Sequence, residues 1–465
     1  MPAPISSVKQ HLERAKAGEA NLATFIKEAL EKSDSIQKKY GPFVTINRSA
    51  KPSTKKGALF GLPISVKDCI CTKGLQSTAG SKILEGYIPP FNATCIEKVE
   101  AAGGIILGKT TQDEFGFGTF NVNTKYSIPK NPFDTERSCG GSSGGAGCLT
   151  AVADFPHVAI AESTGGSITA PAAFTGTVGL TPTYGRISRY GLIDYSNSMD
   201  KIGVIGRCVY DTALLLSVIS GHDPLDSTSS SQPVPDFTSF IGKDVSKLRI
   251  GLPKEYFSEG VDKRISKAVH DTADRLEALG ASVGEVSMPM TNYALPSYYL
   301  IAMSEASTNL AKYCGLRYGA QEDIEGNFEE YFSKIRSESF GEEAKRRILL
   351  GTYSRMAGFR DAYYLKALRI RTKIIEEFKA AFGKFDALLS PSMPILPPKF
   401  SEIAKLTPIQ VYGIDMLTIA PNMSGMPTLT VPIGRIEKLP IGVQLIADQF
   451  KEGALVSLGS AIEGF

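Results

Sequence analysis

SCGGSSGGAGCLTAVADFPHVAIAESTGGSITAP, residues 138–171, holds two Gly/Ser clusters, GGSSGG and STGGS, on either side of a run of small and apolar residues. Glycines flanking serines let main-chain N–H groups and hydroxyls converge on one point, the arrangement that binds an oxyanion beside a nucleophile. A flexible linker can share this composition. Here Leu149–Val152 and Val158–Ile160 are apolar and call for burial, so the stretch reads as an active site set into a core.

The whole chain supports an enzyme-sized core. It has 465 residues, 42% of them apolar, and a formal charge of +3, too small for an electrostatic nucleic-acid binder. Seven cysteines, an odd number scattered along the chain, suit a reducing compartment better than a disulfide framework. The start, MPAPISSVKQHLERAKAGEA, has no apolar core of a signal peptide and carries acidic residues. No window approaches about eighteen apolar residues. The expectation is a soluble cytoplasmic protein that contacts no membrane, a mitochondrial copy without its presequence being left open.

Periodicity gives an α/β chain. Charged amphipathic helices are expected at Val8–Lys16 and Leu22–Lys38. Leu59–Val66 alternates as a strand and delivers Lys67 to its end. A helix over Ala93–Ala102 precedes a strand at Ile105–Leu107, and a further helix is expected at Asp211–Ser220. Beyond the Pro/Ser/Asp-rich boundary at His222–Asp236 come a strand (Leu248–Leu252), a helix (Val261–Leu279) and long helical patterns over Met303–Tyr313 and Glu342–Phe382. Strands at Ala387–Leu389, Thr428–Val431 and Val443–Ile446 return to the sheet. The expected organisation is one α/β domain over 1–465, with N-terminal helices (1–55), a core (56–225), a mainly helical substrate-side segment (226–400) and C-terminal strands (401–465).

Several familiar chemistries fail on context. GGIILGKT (Gly103–Thr110) matches the phosphate-loop spacing, but a helix precedes it and a strand fills its variable positions, the reverse of what phosphate binding needs. Among the four histidines, His11, His222 and His270 suit surface positions, and His157 opens an apolar run as a strand start, so a Ser-His-Asp triad has little support. GGSSG and GSSGG fit the loose nucleophile-elbow pattern, yet the polar residues 131–139 before them do not read as a strand. Cys69-x-Cys71 lacks a second pair at zinc spacing, so no metal is expected. A serine that attacks without histidine needs another proton acceptor, and a neutral lysine can serve, with a second hydroxyl as relay. Lys67, the Ser142-Ser143 pair and Ser167 are groups of the right kind.

GGSSGG followed by TGGSI-x-x-P and preceded by PISVKD resembles the amidase signature family. KTTQDEFGFG, GLTPTYGRISRYGLIDYSNSMDKIG, SYYLIAMSEASTNL, RYG and EAKRRILLGT extend the resemblance over about 59–446, toward the branch that supplies ammonia to tRNA-dependent amidotransferases. It implies a central mixed β-sheet covered by helices on both faces. It also implies Lys67 as catalytic base, Ser142 as a bridging serine on a cis peptide, Ser167 as the acylated nucleophile, and the N–H groups of Thr164, Gly165 and Gly166 as oxyanion hole. Arg347 of KRR would clamp the α-carboxylate of glutamine and Asp415 of YGIDMLT would receive its α-amino group. No cofactor is implied in this chain. ATP and magnesium would belong to a partner, and most tRNA contacts to partners resembling the B and C subunits of such amidotransferases.

The family's usual Asp before TGGS is Ser163 here, and its usual Arg after GGSI is Thr169. Exchanging both members of an ion pair for two hydroxyls leaves groups able to satisfy each other. The Ser142-to-Ser167 spacing is one residue longer than the usual pattern, so Ser143 stays a second candidate for the bridge. The competing readings are a stand-alone amidase and a catalytically silent scaffold subunit.

Overall fold

The computed structural model describes residues 7–324 and 326–465. Its strands are β1 (Phe43–Ile46), β2 (Pro63–Lys67), β3 (Ile105–Thr110), β4 (Lys130–Asn131), β5 (Asp134–Ser138), β6 (Val158–Ser163), β7 (Val178–Thr181), β8 (Lys201–Gly206), β9 (Arg249–Pro253), β10 (Ser282–Val286), β11 (Ala387–Pro391), β12 (Thr428–Ile436) and β13 (Leu439–Ala447). Eleven of them form one sheet in the order β1-β3-β2-β6-β8-β7-β12-β13-β11-β9-β10, while β4 and β5 pair as a separate ribbon. The sheet is mixed: β2 runs parallel to β3 and β6, and β9 to β10 and β11, whereas β6–β8, β7–β12 and β12–β13 are antiparallel. Every residue of β2, β3, β6 and β8 is buried. Successive residues of a strand point to opposite faces, so both faces are covered, as the resemblance implied. Helices Gly144–Val152, Thr169–Thr175, Val209–Ile219 and Glu452–Glu463 are among those that pack on it.

The phosphate-loop match is indeed a helix (Thr94–Ala101) followed by strand β3. Lys109, within the match, is fully buried and donates to Ile70 O, to Ser77 Oγ (2.8 Å) and to Thr72 Oγ1 (3.3 Å), so its ammonium is already engaged. Four expectations need correction. The polar residues before GGSSGG do pair, as β4 and β5, but outside the main sheet. The Glu342–Phe382 pattern is not one helix: helix Glu342–Arg355 stops before Gly358, which adopts φ +87°, and helix Lys366–Phe382 follows a single π-turn. Ser282–Val286 adds an end strand whose Ser, Gly and Glu hide its pattern. His11 is buried, its Nε2 2.9 Å from Gly61 O, and burial holds its imidazole below the usual range.

Arg186 and Glu452 form an ion pair with almost no exposure, Nη2 to Oε2 at 3.2 Å, and Glu452 Oε1 also accepts from Thr183 N–H (3.0 Å). Removing one partner of such a pair strands the other charge at a cost of about 3–5 kcal/mol. Glu452→Gln is expected to lower stability by that order, read as the denaturation midpoint of the full chain.

Candidate active site

Two parallel neighbours, β2 and β6, run in register with Val66 opposite Ile160, and their carboxyl ends place Lys67 beside Glu162. Open α/β sheets carry their sites at such ends. Lys67 is fully buried, with Nζ 2.7 Å from Ser142 Oγ, 2.8 Å from Glu162 Oε2 and 3.0 Å from Glu162 O. The Gly141-Ser142 peptide is cis. Gly140 has φ +76°, and a Cβ there would stand 2.7 Å from the main chain of Ala170, so the loop admits only glycine. Ser143 turns the other way: its hydroxyl donates to Glu162 O (3.0 Å) as the helix Gly144–Val152 begins. Ser142 therefore holds the lysine contact.

Ser167 sits in the turn between β6 and helix Thr169–Thr175, tied to the serine loop by Ser143 N–H donating to Ser167 O (3.2 Å). Its hydroxyl has no hydrogen-bond partner among the described residues, and the residue keeps 7% exposure where Lys67 and Ser142 have none. The N–H groups of Thr164, Gly165 and Gly166 likewise find no acceptor among the described residues. An amine on one hydroxyl, a second free hydroxyl and unclaimed N–H donors make a site suited to nucleophilic attack on a carbonyl.

Arg347 is buried on helix Glu342–Arg355 inside a cage of Phe117, Tyr195, Tyr299 and Tyr412, whose ring centroids lie 4.9, 5.5, 5.3 and 5.4 Å from its guanidinium carbon. Nε donates to Glu343 Oε1 (2.8 Å) and Nη1 to Tyr195 OH (2.5 Å), while Nη2 has no partner among the described residues. Asp415 accepts from Thr119 Oγ1 (2.9 Å) and Tyr299 OH (3.1 Å). Burial pushes its carboxyl up to about 6 against those bonds and the pull of Arg347. A pocket of about 240 Å³ is lined by Thr119, Glu343, Arg347 and Tyr412 among others, though not by Lys67, Ser142 or Ser167. Its wall is linked to the serine loop by Gly141 N–H donating to Thr119 O (2.6 Å).

His157 bonds Ser65 (2.9 Å), far along β2 from Lys67, and burial lowers its imidazole to about 3. Among the described residues no cluster of three His, Cys, Asp or Glu is placed to hold a metal ion. Ser163 does not pair with Thr169; its hydroxyl donates to Gly165 O (2.8 Å), within the turn itself. The caging tyrosines, Glu343 and Glu162 escaped the sequence reading, although Tyr299 lies in the quoted SYYLIAMSEA motif and Glu162 directly before STGGS.

The amidase family profile matches residues 6–456. Over 98% of its length the chain is 46% identical to the glutamyl-tRNA(Gln) amidotransferase A subunit of Carboxydothermus hydrogenoformans, covering 96% of that protein. It is 48% identical to the protein of the same name from Methanococcoides burtonii, over 88% of this chain and 85% of that one. The crystal structure of the glutamyl-tRNA(Gln) amidotransferase A subunit from Thermotoga maritima superposes with a TM-score of 0.84 at 33% identity, covering 97% of this chain and 94% of that one. With the serine-lysine corner on the sheet and a profile match over nearly the whole length, the chain belongs to the amidase family.

Proposed function

We propose that the chain is the glutaminase subunit of a tRNA-dependent amidotransferase. Lys67 as free amine draws a proton from Ser142, Ser142 takes one from Ser167, and Ser167 Oγ attacks the side-chain amide carbon of glutamine. The oxyanion settles on the N–H groups of Thr164, Gly165 and Gly166. The C–N bond breaks with the proton returned to the leaving nitrogen, ammonia departs, and water releases glutamate from Ser167. Ammonia then passes to partner subunits of the B and C types, which would hold ATP, magnesium and most of the tRNA and amidate Glu-tRNA(Gln), Asp-tRNA(Asn) or both. The names of the similar proteins support this last step.

The observation that carries the reading is the pair Arg347 and Asp415. Free glutamine is a zwitterion, and one fixed charge for each end separates it from simple amides. The unpartnered Nη2 of Arg347 suits the α-carboxylate, and Asp415 suits the α-ammonium. Arg347→Leu is expected to lower kcat/KM for glutamine on the order of 10²- to 10³-fold, mostly through KM, while an aliphatic amide changes little. Equal losses on both substrates would favour a broad stand-alone amidase. The complex purified with its accompanying subunits should amidate mischarged tRNA at the expense of glutamine.

Acidity tests the other end of the clamp. Asp415 is raised to about 6, so it is neutral below that pH and loses its attraction for an ammonium. The ratio of kcat/KM for glutamine to that for an uncharged amide should fall as pH drops through about 6. Taking the ratio removes the titration that both reactions share.

A further inference from the structure

Glu162 holds Lys67 twice. Its main-chain oxygen lies 3.0 Å and its Oε2 2.8 Å from Nζ, leaving Ser142 Oγ, at 2.7 Å, as the third neighbour of a tetrahedral nitrogen. An ammonium fills all three directions with N–H donors; a neutral amine has two donors and one lone pair. With both donors taken by Glu162, the lone pair falls on Ser142.

We propose that Glu162 is a positioning residue for the acyl chemistry: it aims Lys67 at Ser142 and, through its negative charge, sets the pH above which the lysine can accept the serine proton. The proposal rests on the Lys67, Ser142 and Ser167 assignment above.

The neighbouring hydroxyl identifies which buried acid carries the charge. Thr164 Oγ1 has one hydrogen yet lies 2.9 Å from Glu162 Oε1 and 2.7 Å from Asp200 Oδ1. It can donate to only one of them, so the other acid must donate to it. Asp200 is that donor: burial and the charge of Glu162 push it well up, and its other oxygen is taken by the N–H groups of Tyr195 (2.8 Å) and Ser196 (2.9 Å). The proton order then runs from Asp200 to Thr164 to Glu162, which is left ionised against Lys67. The other titratable groups in the field of this corner are Cys69, whose thiol burial pushes well up, and Asp113, which burial raises to about 6 against the N–H groups of Asn121 and Asn123. The buried pair Lys109 and Asp68 acts on Cys69, and Arg347 on Asp113. None of these differs between the parent and a Glu162 variant.

A carboxylate beside an amine favours its protonated form, so neutralising the carboxylate frees the amine at lower pH. The full chain, with its co-purifying subunits, would be assayed as parent, Glu162→Gln and Glu162→Leu. Glutamine hydrolysis would be followed as ammonia release from about pH 5.5 to 9.5. In parallel, phenylmethanesulfonyl fluoride would label Ser167: the hydroxyl oxygen bonds to sulfur, fluoride leaves, and the serine proton passes toward Lys67, with no need of the glutamine clamp. Glu162→Gln keeps an acceptor for the lysine N–H. It is expected to retain KM and the high-pH plateau, while both rates begin to rise more than about one pH unit lower than in the parent. Glu162→Leu should lose more than about tenfold of plateau kcat with KM unchanged. A Glu162→Gln profile that superimposes on the parent, or rises at higher pH, overturns the proposal. A Ser167→Ala control with full activity would instead overturn the assignment on which it rests.

Discussion

Ser167→Ala should yield a folded chain that no longer hydrolyses glutamine, with a loss of at least about 10⁴-fold, the scale set by removing a serine nucleophile elsewhere. The fold should survive because the Ser167 hydroxyl makes no hydrogen bond to the described residues, so its removal strands no partner. The main chain that ties the turn to Ser143 is untouched. Ammonia release and the thermal midpoint, measured on the same preparation, check both halves. Full activity would remove Ser167 from the nucleophile's role, and a collapsed midpoint would show that the hydroxyl supports the turn. Glutamine binding should persist in the variant, because Arg347 and Asp415 are unchanged.

Lys67→Ala should cost about 10²- to 10⁴-fold in kcat, the range for a general base. Unlike Ser167, the lysine also carries structural weight, since its removal leaves Glu162 buried at the end of β6 without its cation. The single variant is therefore expected to melt earlier than the parent. Adding Glu162→Gln should recover much of the midpoint without recovering activity, a split that separates lost chemistry from lost stability. A rate insensitive to Lys67→Ala would take the lysine out of the proton path.

The parts of this site that a linear reading reaches are those whose residue type is unusual for its place. Two serines amid glycines, a lysine ending an apolar strand, and an arginine within EAKRRILLGT are such cases. The β-strand that follows His157 and the refusal of the phosphate-loop match came from the same local logic of apolar runs and their neighbours. Glu162 did not, because a carboxylate near a strand end ordinarily faces water, and only the parallel pairing of β2 with β6 turns it onto Lys67. The cage escaped for a different reason: Phe117, Tyr195, Tyr299 and Tyr412 meet around Arg347 from segments far apart in the chain, and each alone reads as ordinary core. The break at Gly358 was hidden because the periodicity on its two sides is continuous enough to join.

The groups that would make and break bonds, Lys67, Ser142 and Ser167, are mounted on the sheet and its adjoining turns in the first half of the chain. Those that would read the two charges of a substrate, Arg347 and Asp415, hang on helical segments of the second half, joined to the first by contacts such as Asp415 with Thr119 and Arg347 with Tyr195. Such a separation makes the scaffold evolvable: drift in the helical half can retune which amide is accepted while the acylating corner, pinned by close main-chain packing, stays under its own selective constraint.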